Sequence, residues 1–195
     1  MYLSHNSVKY IKSVIKDIHN KVIHDSKPPT DNQNCMLCTF CFEANMRGIK
    51  ILPRAVYSPR DIIFKKNMIN IIKGHRKESF KSKKDLINKI KSNPESRYYV
   101  HVKWDKNSNG GHEFIIVNME DDLYIVDPQE GFMMRINNPK SDKYIENIYY
   151  EGSFIVRLDN KEFDEEKLRK YNDKKNIIEW DDDIDRKYVK EYKMI

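Results

Sequence analysis

The sequence is short of cysteine, and its few cysteines lie together. Only three occur among 195 residues, at positions 35, 38 and 41. An odd number of closely spaced cysteines does not build the disulfide framework of a small secreted protein. We therefore expect the working protein to occupy a reducing compartment.

Long apolar runs are also missing. No stretch approaches the roughly 20 apolar residues of a membrane-spanning helix. Residues 1–24 alternate between polar and apolar side chains, so the apolar core of a signal peptide is not present there. These features argue against a membrane partner. We expect a cytoplasmic location, or delivery into a target-cell cytoplasm by a leaderless route.

The net charge of +6 raises the hypothesis of a nucleic-acid partner. The sequence shows no zinc finger, phosphate-binding glycine loop or aromatic RNA-binding motif. Its densest basic stretch runs from Lys65 to Lys91, where the lysines alternate with apolar residues in the manner of solvated helix faces. A nucleic-acid-binding module is therefore the weaker hypothesis, and it predicts steeply salt-dependent binding.

Apolar periodicity divides the chain into helices followed by strands. Val8, Ile11, Ile15 and Ile18 recur at spacings of three and four, which predicts an amphipathic helix over residues 6–24. Further helices are predicted over residues 35–47, 60–73, 82–92 and 162–171. Strands are predicted over residues 49–52, 98–104, 113–119, 123–126, 132–136 and 153–158. This order indicates an α+β fold.

Cys35 lies where a polar loop meets a helix with few charges, which is predicted to be central and to end at Gly48. The N–H groups and the positive end of the dipole at a helix start stabilise a thiolate, which is the reactive form of cysteine. The same N–H groups can bind an oxyanion. Cys35 is thus the candidate nucleophile.

Cys38 and Cys41 extend this position into a Cys-x-x-Cys-x-x-Cys pattern, which is also compatible with metal binding or a redox pair. On a helix, however, Cys35 and Cys41 are separated by about 9 Å of axial rise. Two thiolates on one zinc ion lie no more than about 4.6 Å apart. No thioredoxin-like βαβ pattern surrounds the pair, so Cys38 and Cys41 are interpreted as apolar residues of a buried helix. We expect no metal and no cofactor.

His112 differs from the other five histidines because it follows two glycines and opens an apolar strand. Asp127 ends the next strand of a predicted hairpin, so it can lie across from His112. A carboxylate there would fix the ring tautomer and stabilise the imidazolium. The order Cys, His, Asp is that of papain-like enzymes. The strand over residues 98–104 places His101 opposite its one predicted buried face.

Three motifs in this order resemble those of the papain-fold toxin family, whose members include predicted glutamine deamidases in bacterial toxins and phage-associated proteins. The motifs are Asn34-Cys35-x-x-Cys38-x-x-x-x-Glu43-x-x-x-Arg47-Gly48, Gly111-His112-Glu113-Phe114 and Asp127-Pro128-Gln129-x-Gly131. The resemblance covers roughly residues 30–160. Relatives often carry alanine where this helix has Phe40 and Cys41.

The resemblance implies a papain-like fold, in which a central N-terminal helix carries the cysteine and packs on an antiparallel sheet. It implies that residues 28–160 are a papain-like catalytic domain, with residues 1–27 as an N-terminal amphipathic helix and residues 161–195 as a C-terminal helix and acidic tail. The catalytic residues it implies are Cys35 as nucleophile, His112 as base and acid, and Asp127 as orienting group. The substrate and oxyanion candidates are Asn32, Gln33, Asn34, Gly111 and Gln129.

The implied activity is acyl transfer on a protein amide. Glutamine deamidation is the form favoured by the resemblance, whereas an amine acceptor would give transglutamination and a backbone amide would give proteolysis. The expected partners are a protein substrate bearing a target glutamine and an immunity or carrier protein. The alternative is a non-enzymatic phage or mobile-element protein whose papain-like domain serves assembly or binding.

Overall fold

The structure is a computed structural model, which describes residues 7–25, 35–53, 68–104, 106, 111–120 and 122–173. Within the first of these ranges, residues 20–25 are described by their backbone alone. The loop over residues 26–34, the start of the helix predicted at 60–73 and the acidic tail beyond residue 173 lie outside the described residues.

The described residues form five α-helices and a six-stranded antiparallel sheet, which confirms the α+β class. The helices are α1 (Val8–Asp25), α2 (Cys35–Met46), α3 (Lys83–Lys91), α4 (Pro139–Glu146) and α5 (Glu165–Asn172), with a 3₁₀ helix at Ile69–Ile71. The strands are β1 (Glu78–Ser79), β2 (Arg97–Lys103), β3 (Gly111–Met119), β4 (Asp122–Asp127), β5 (Phe132–Arg135) and β6 (Tyr149–Arg157). Their order in the sheet is β1-β6-β2-β3-β4-β5, so the predicted meander spans β2 to β5.

Helix α2 lies at the centre of the molecule. Eleven of its 12 residues are buried, as its apolar composition on every side predicts. It packs against β3 and against α1, which buries Ile11, Ile15 and Ile18 of the predicted amphipathic stripe. The predicted helix end is confirmed, because Gly48 follows α2 with a φ of 83°.

Both faces of the sheet are covered. Helices α1, α2 and α5 pack on one face, called here the α2 face. Helices α3 and α4 pack on the other, the α4 face. The prediction of a single buried face for the strand at residues 98–104 is wrong, because Tyr99 is fully buried on the α2 face and stacks on Phe40 at 5.5 Å between ring centroids.

Two local predictions need correction. Residues 49–52 form no strand, because α2 satisfies their backbone: Ile49 N donates to Ala44 O, and the Asn45 side chain donates to Ile51 O at 2.7 Å. Helix α4 was not predicted. Its signal is Asn138 followed by Pro139, since the Asn138 side chain accepts from the Lys140 N–H as a helix cap and proline suits the first turn.

A buried ion network anchors the C-terminal half of α2. Glu43 is fully buried, and its two carboxylate oxygens accept hydrogen bonds from Arg97 of β2 at 2.8 and 3.0 Å. Arg47 adds a third bond to Glu43 at 2.8 Å and donates to the carbonyls of Leu158 and Lys161. Glu43 thereby joins α2 to β2, and Arg47 joins the end of α2 to the segment after β6.

We predict that Arg97→Ala lowers the free energy of unfolding by about 3–5 kcal/mol, because it leaves the Glu43 carboxylate buried without its main partner. The measurement is equilibrium unfolding in urea. The matched control is Arg169→Ala, which breaks an exposed pair with Glu165 and should change stability by less than about 0.5 kcal/mol. Equal effects of the two substitutions would contradict this role for Glu43.

Candidate active site

Cys35 is the first residue of α2, and only 3% of it is exposed. Its thiol donates a hydrogen bond to Oε2 of Glu113, the third residue of β3. One turn further along α2, the Thr39 hydroxyl lies 2.7 Å from Cys35 O and 3.3 Å from Glu113 O. The start of α2 is therefore held directly against β3.

Cys38 and Cys41 are 0% exposed and pack in the core between α2 and the sheet. Burial raises the pKa of the Cys38 thiol well above its usual value, and burial likewise raises that of Cys41. Both thiols are thus kept protonated and behave as small apolar side chains, as predicted. Within the described ranges, no cluster of three or more histidine, cysteine, aspartate or glutamate side chains could hold a metal ion.

His112 and Asp127 are in direct contact. The predicted hairpin is present as β3 and β4, and it brings His112 Nε2 within 2.5 Å of Asp127 Oδ2. The second oxygen, Oδ1, accepts from the N–H groups of Gln129 and Glu130 at 3.1 and 3.0 Å. Because the turn after β4 orients the carboxylate, its remaining oxygen is directed at the imidazole.

The Asp127 charge decides the ionisation of His112. Burial alone would lower the pKa of this imidazole, but the hydrogen bond and charge of Asp127, with smaller contributions from Glu113 and Glu130, raise it above its ordinary value. The ring is therefore biased towards the imidazolium that a thiol enzyme uses to protonate its leaving group.

An aromatic wall surrounds His112 on the α4 face. Its ring stacks on Trp104 and Phe114, each at 6.2 Å between centroids, and meets Tyr144 of α4 edge-on. The Tyr144 hydroxyl donates to Asp127 Oδ2 at 2.7 Å. Burial and the Asp127 charge raise the pKa of Tyr144, so the phenol stays a donor. The Asp127 side chain is fully buried behind this wall, and 13% of the His112 side chain remains exposed.

The side chains of Cys35 and His112 lie on different faces of the sheet. His112 and Glu113 are neighbours on β3, so their side chains point to opposite faces. Glu113 faces α2, where its Oε1 lies 3.0 Å from His101 Nδ1, and His112 faces α4. The groups on the two faces still interact electrostatically. Glu113 contributes to the raised pKa of His112, and Cys35 contributes to the raised pKa of Tyr144.

The other predicted site residues have varied positions. Gln129 is 95% buried beside Asp127, and its Oε1 has no hydrogen-bond partner among the described residues. Gly111 lies against β2, where a side chain would collide with Val102 O. Asn32, Gln33 and Asn34 lie outside the described residues.

Three residues of the site had not been predicted: His101, Glu113 and Tyr144. Glu113 belongs to the second motif, and the signal for its burial is its position directly before the apolar run of β3. The alternation of β2 predicts that His101 is exposed, but helices cover both faces of the sheet. Tyr144 was missed together with α4.

Comparisons with known proteins do not place the chain in a family. No protein-family model matches it, and no curated protein matches it either.

We predict that Asp127→Asn lowers the pKa of His112, because burial then acts without the opposing carboxylate. NMR titration of the imidazole measures this shift, and the other histidines in the same spectra serve as internal references. In wild type the raised pKa adds stability at acidic pH, which is lost as the pH rises through the folded pKa of His112. That loss should disappear in the variant. An unchanged midpoint would show that Asp127 does not control His112.

Proposed function

We propose that this protein is a papain-like thiol enzyme that transfers acyl groups from protein amides, and that it acts as a glutamine deamidase toxin or effector. The observation that carries the proposal is the buried His112–Asp127 pair at 2.5 Å. Along the chain, this pair comes after Cys35, as in papain-like enzymes. Cys35 begins a central helix that packs on an antiparallel sheet.

The chemistry proceeds through a thioester. The Cys35 sulfur attacks the carbonyl carbon of a glutamine side chain, and the N–H groups at the start of α2 stabilise the oxyanion. His112 is the acid that protonates the departing ammonia, and water activated by the same ring then releases glutamate, so the ring has to turn from the α4 face towards Cys35 during the reaction. On the α2 face, Glu113 accepts the hydrogen bond of the resting Cys35 thiol.

The acceptor decides between related activities. Water gives deamidation, a lysine amine gives transglutamination, and attack on a backbone amide gives proteolysis. The motif resemblance favours deamidation of a protein substrate, with an immunity or carrier protein as a further partner. In the described part of the chain, no helix has the length and apolarity needed to cross a bilayer.

A second candidate function is a binding or assembly module that keeps the fold without catalysis. The observation that favours it is the resting thiol itself, which is 3% exposed and bonded to a carboxylate rather than presented at the surface. Such a module needs no reactive Cys35, so it makes the opposite prediction in the experiment below.

We predict that the purified protein converts a specific glutamine to glutamate in a protein of a cell lysate, a mass increase of about one dalton. Cys35→Ala should abolish this shift, because the nucleophile is gone. The matched control is Cys38→Ala, the same substitution one turn further along α2, which should retain most of the activity. Peptide mass spectrometry of treated and untreated lysates measures the change.

The outcomes separate the alternatives. Modification that persists in Cys35→Ala contradicts the nucleophile. Cleavage or crosslinking that depends on Cys35 assigns the protease or transglutaminase reaction instead. A lysate without any Cys35-dependent change supports the binding module, and loss of activity in a folded Cys38→Ala protein returns weight to a redox or metal site.

A further inference from the structure

We propose that Glu113 is the specificity-determining residue at Cys35, where its buried carboxylate accepts the N–H hydrogens of a primary carboxamide and rejects carboxylates. The choice of a carboxamide as substrate rests on the proposed function. The discrimination between neutral and anionic groups rests on the contacts of Glu113 alone and can be tested separately.

The carboxylate of Glu113 is fixed at both oxygens. Oε2 accepts from the Cys35 thiol, Oε1 lies 3.0 Å from His101 Nδ1, and the side chain is 6% exposed. His101 is held in turn by Phe154, whose ring stacks on it at 4.9 Å between centroids. An ionised carboxylate can only accept hydrogen bonds. The group beside the nucleophile is therefore an oriented acceptor.

Acylation changes what this acceptor needs. When the Cys35 sulfur bonds to the carboxamide carbon, the C–N bond breaks, and the thiol hydrogen leaves on nitrogen as part of ammonia. Oε2 loses the S–H donor in this step. Until the C–N bond breaks, the nitrogen of a primary carboxamide supplies N–H donors to Oε2 in place of the S–H, and an ester or carboxylate does not. A site with a buried acceptor rejects ligands that leave it unpaired.

Hydrolysis then changes the charge of the bound group. Water adds to the thioester carbon and the C–S bond breaks. One proton of the water returns to the sulfur, the other passes to solvent or to the released ammonia, and the substrate leaves as a carboxylate. This product carries the same charge as Glu113, so the two repel each other in a poorly solvated site. The carboxylate thus favours release of the product and disfavours its return.

Among the described residues, three other titratable side chains that interact with Cys35 do not carry this charge. Cys38, Tyr99 and Tyr144 interact electrostatically with Cys35, but burial is the largest cause that raises the pKa of each, so all three are neutral at pH 7. His112, whose raised pKa biases its ring towards the imidazolium, lies on the α4 face. Removal of the Glu113 charge should therefore alter how Cys35 receives an anion.

The test uses two alkylating reagents that differ only in this feature. Iodoacetamide carries a primary carboxamide and iodoacetate carries a carboxylate on the same reactive carbon. Peptide mass spectrometry gives the rate for each at Cys35 at pH 7, and N-acetylcysteine gives the intrinsic rate ratio. Relative to that reference, wild type should prefer iodoacetamide, and Glu113→Gln should reduce the preference by about tenfold.

Two further variants test whether the effect depends on the position of the charge. Glu120→Gln removes the same charge from the turn at the opposite end of β3, and it should leave the wild-type ratio unchanged. Glu113→Asp keeps the charge but withdraws it from the sulfur by one methylene, so its ratio should lie between those of wild type and Glu113→Gln. It also tests the proposal if the glutamine variant fails to fold.

The proposal would be overturned if both Glu113→Gln and Glu113→Asp kept the rate ratio of the wild-type protein. It would also be overturned if neither reagent alkylated Cys35 in the wild-type protein. An equal change in Glu120→Gln would reduce the effect to net charge and overturn it too. If the ratio responds as expected and no glutamine is modified in lysates, the selectivity of Glu113 stands and the deamidase proposal fails.

Discussion

The rest of the structure depends on the burial of one carboxylate, Glu43. A charge that is fully removed from water requires partners, and here two arginines supply them. Because Arg97 belongs to β2, the bonds fix α2 along its axis relative to the sheet. The position of Cys35, two turns away at the other end of α2, follows from that register. The stability of the molecule and the placement of its candidate nucleophile therefore share one cause.

The residues of the site are divided between the two faces of the sheet, and a second carboxylate, Glu113, lies at this division. Alternation along β3 sends His112 to the aromatic wall of the α4 face and Glu113 to the start of α2. The histidine is oriented by Asp127 and by the aromatic rings around it, and the cysteine is held next to the carboxylate acceptor of Glu113. Consecutive residues of one strand thus serve two different tasks of the proposed reaction.

The sequence predicted the parts of this site that depend on local pattern. The contact between His112 and Asp127 follows from two apolar strands joined by a short turn, and the burial of Cys38 follows from a helix without charges. The contacts of Cys35 with Glu113 and of His101 with Glu113 depend on which helix layer covers which face, and this is decided by long-range packing. Tyr144 required an eight-residue helix whose only clear signal is its Asn-Pro start.

The docking of α1 has a consequence for how the chain can be divided. His19 bonds through Nδ1 to the carbonyl of Gln129 at 2.7 Å, and its ring fills the space over Gly131 that a side chain would otherwise occupy. The same turn donates the N–H groups that orient Asp127. A chain that began after α1 would thus lose the side chain that packs against the turn holding the Asp127 carboxylate. Helix α1 and the turn that follows β4 therefore form one structural unit, which an engineered version of the chain should keep together.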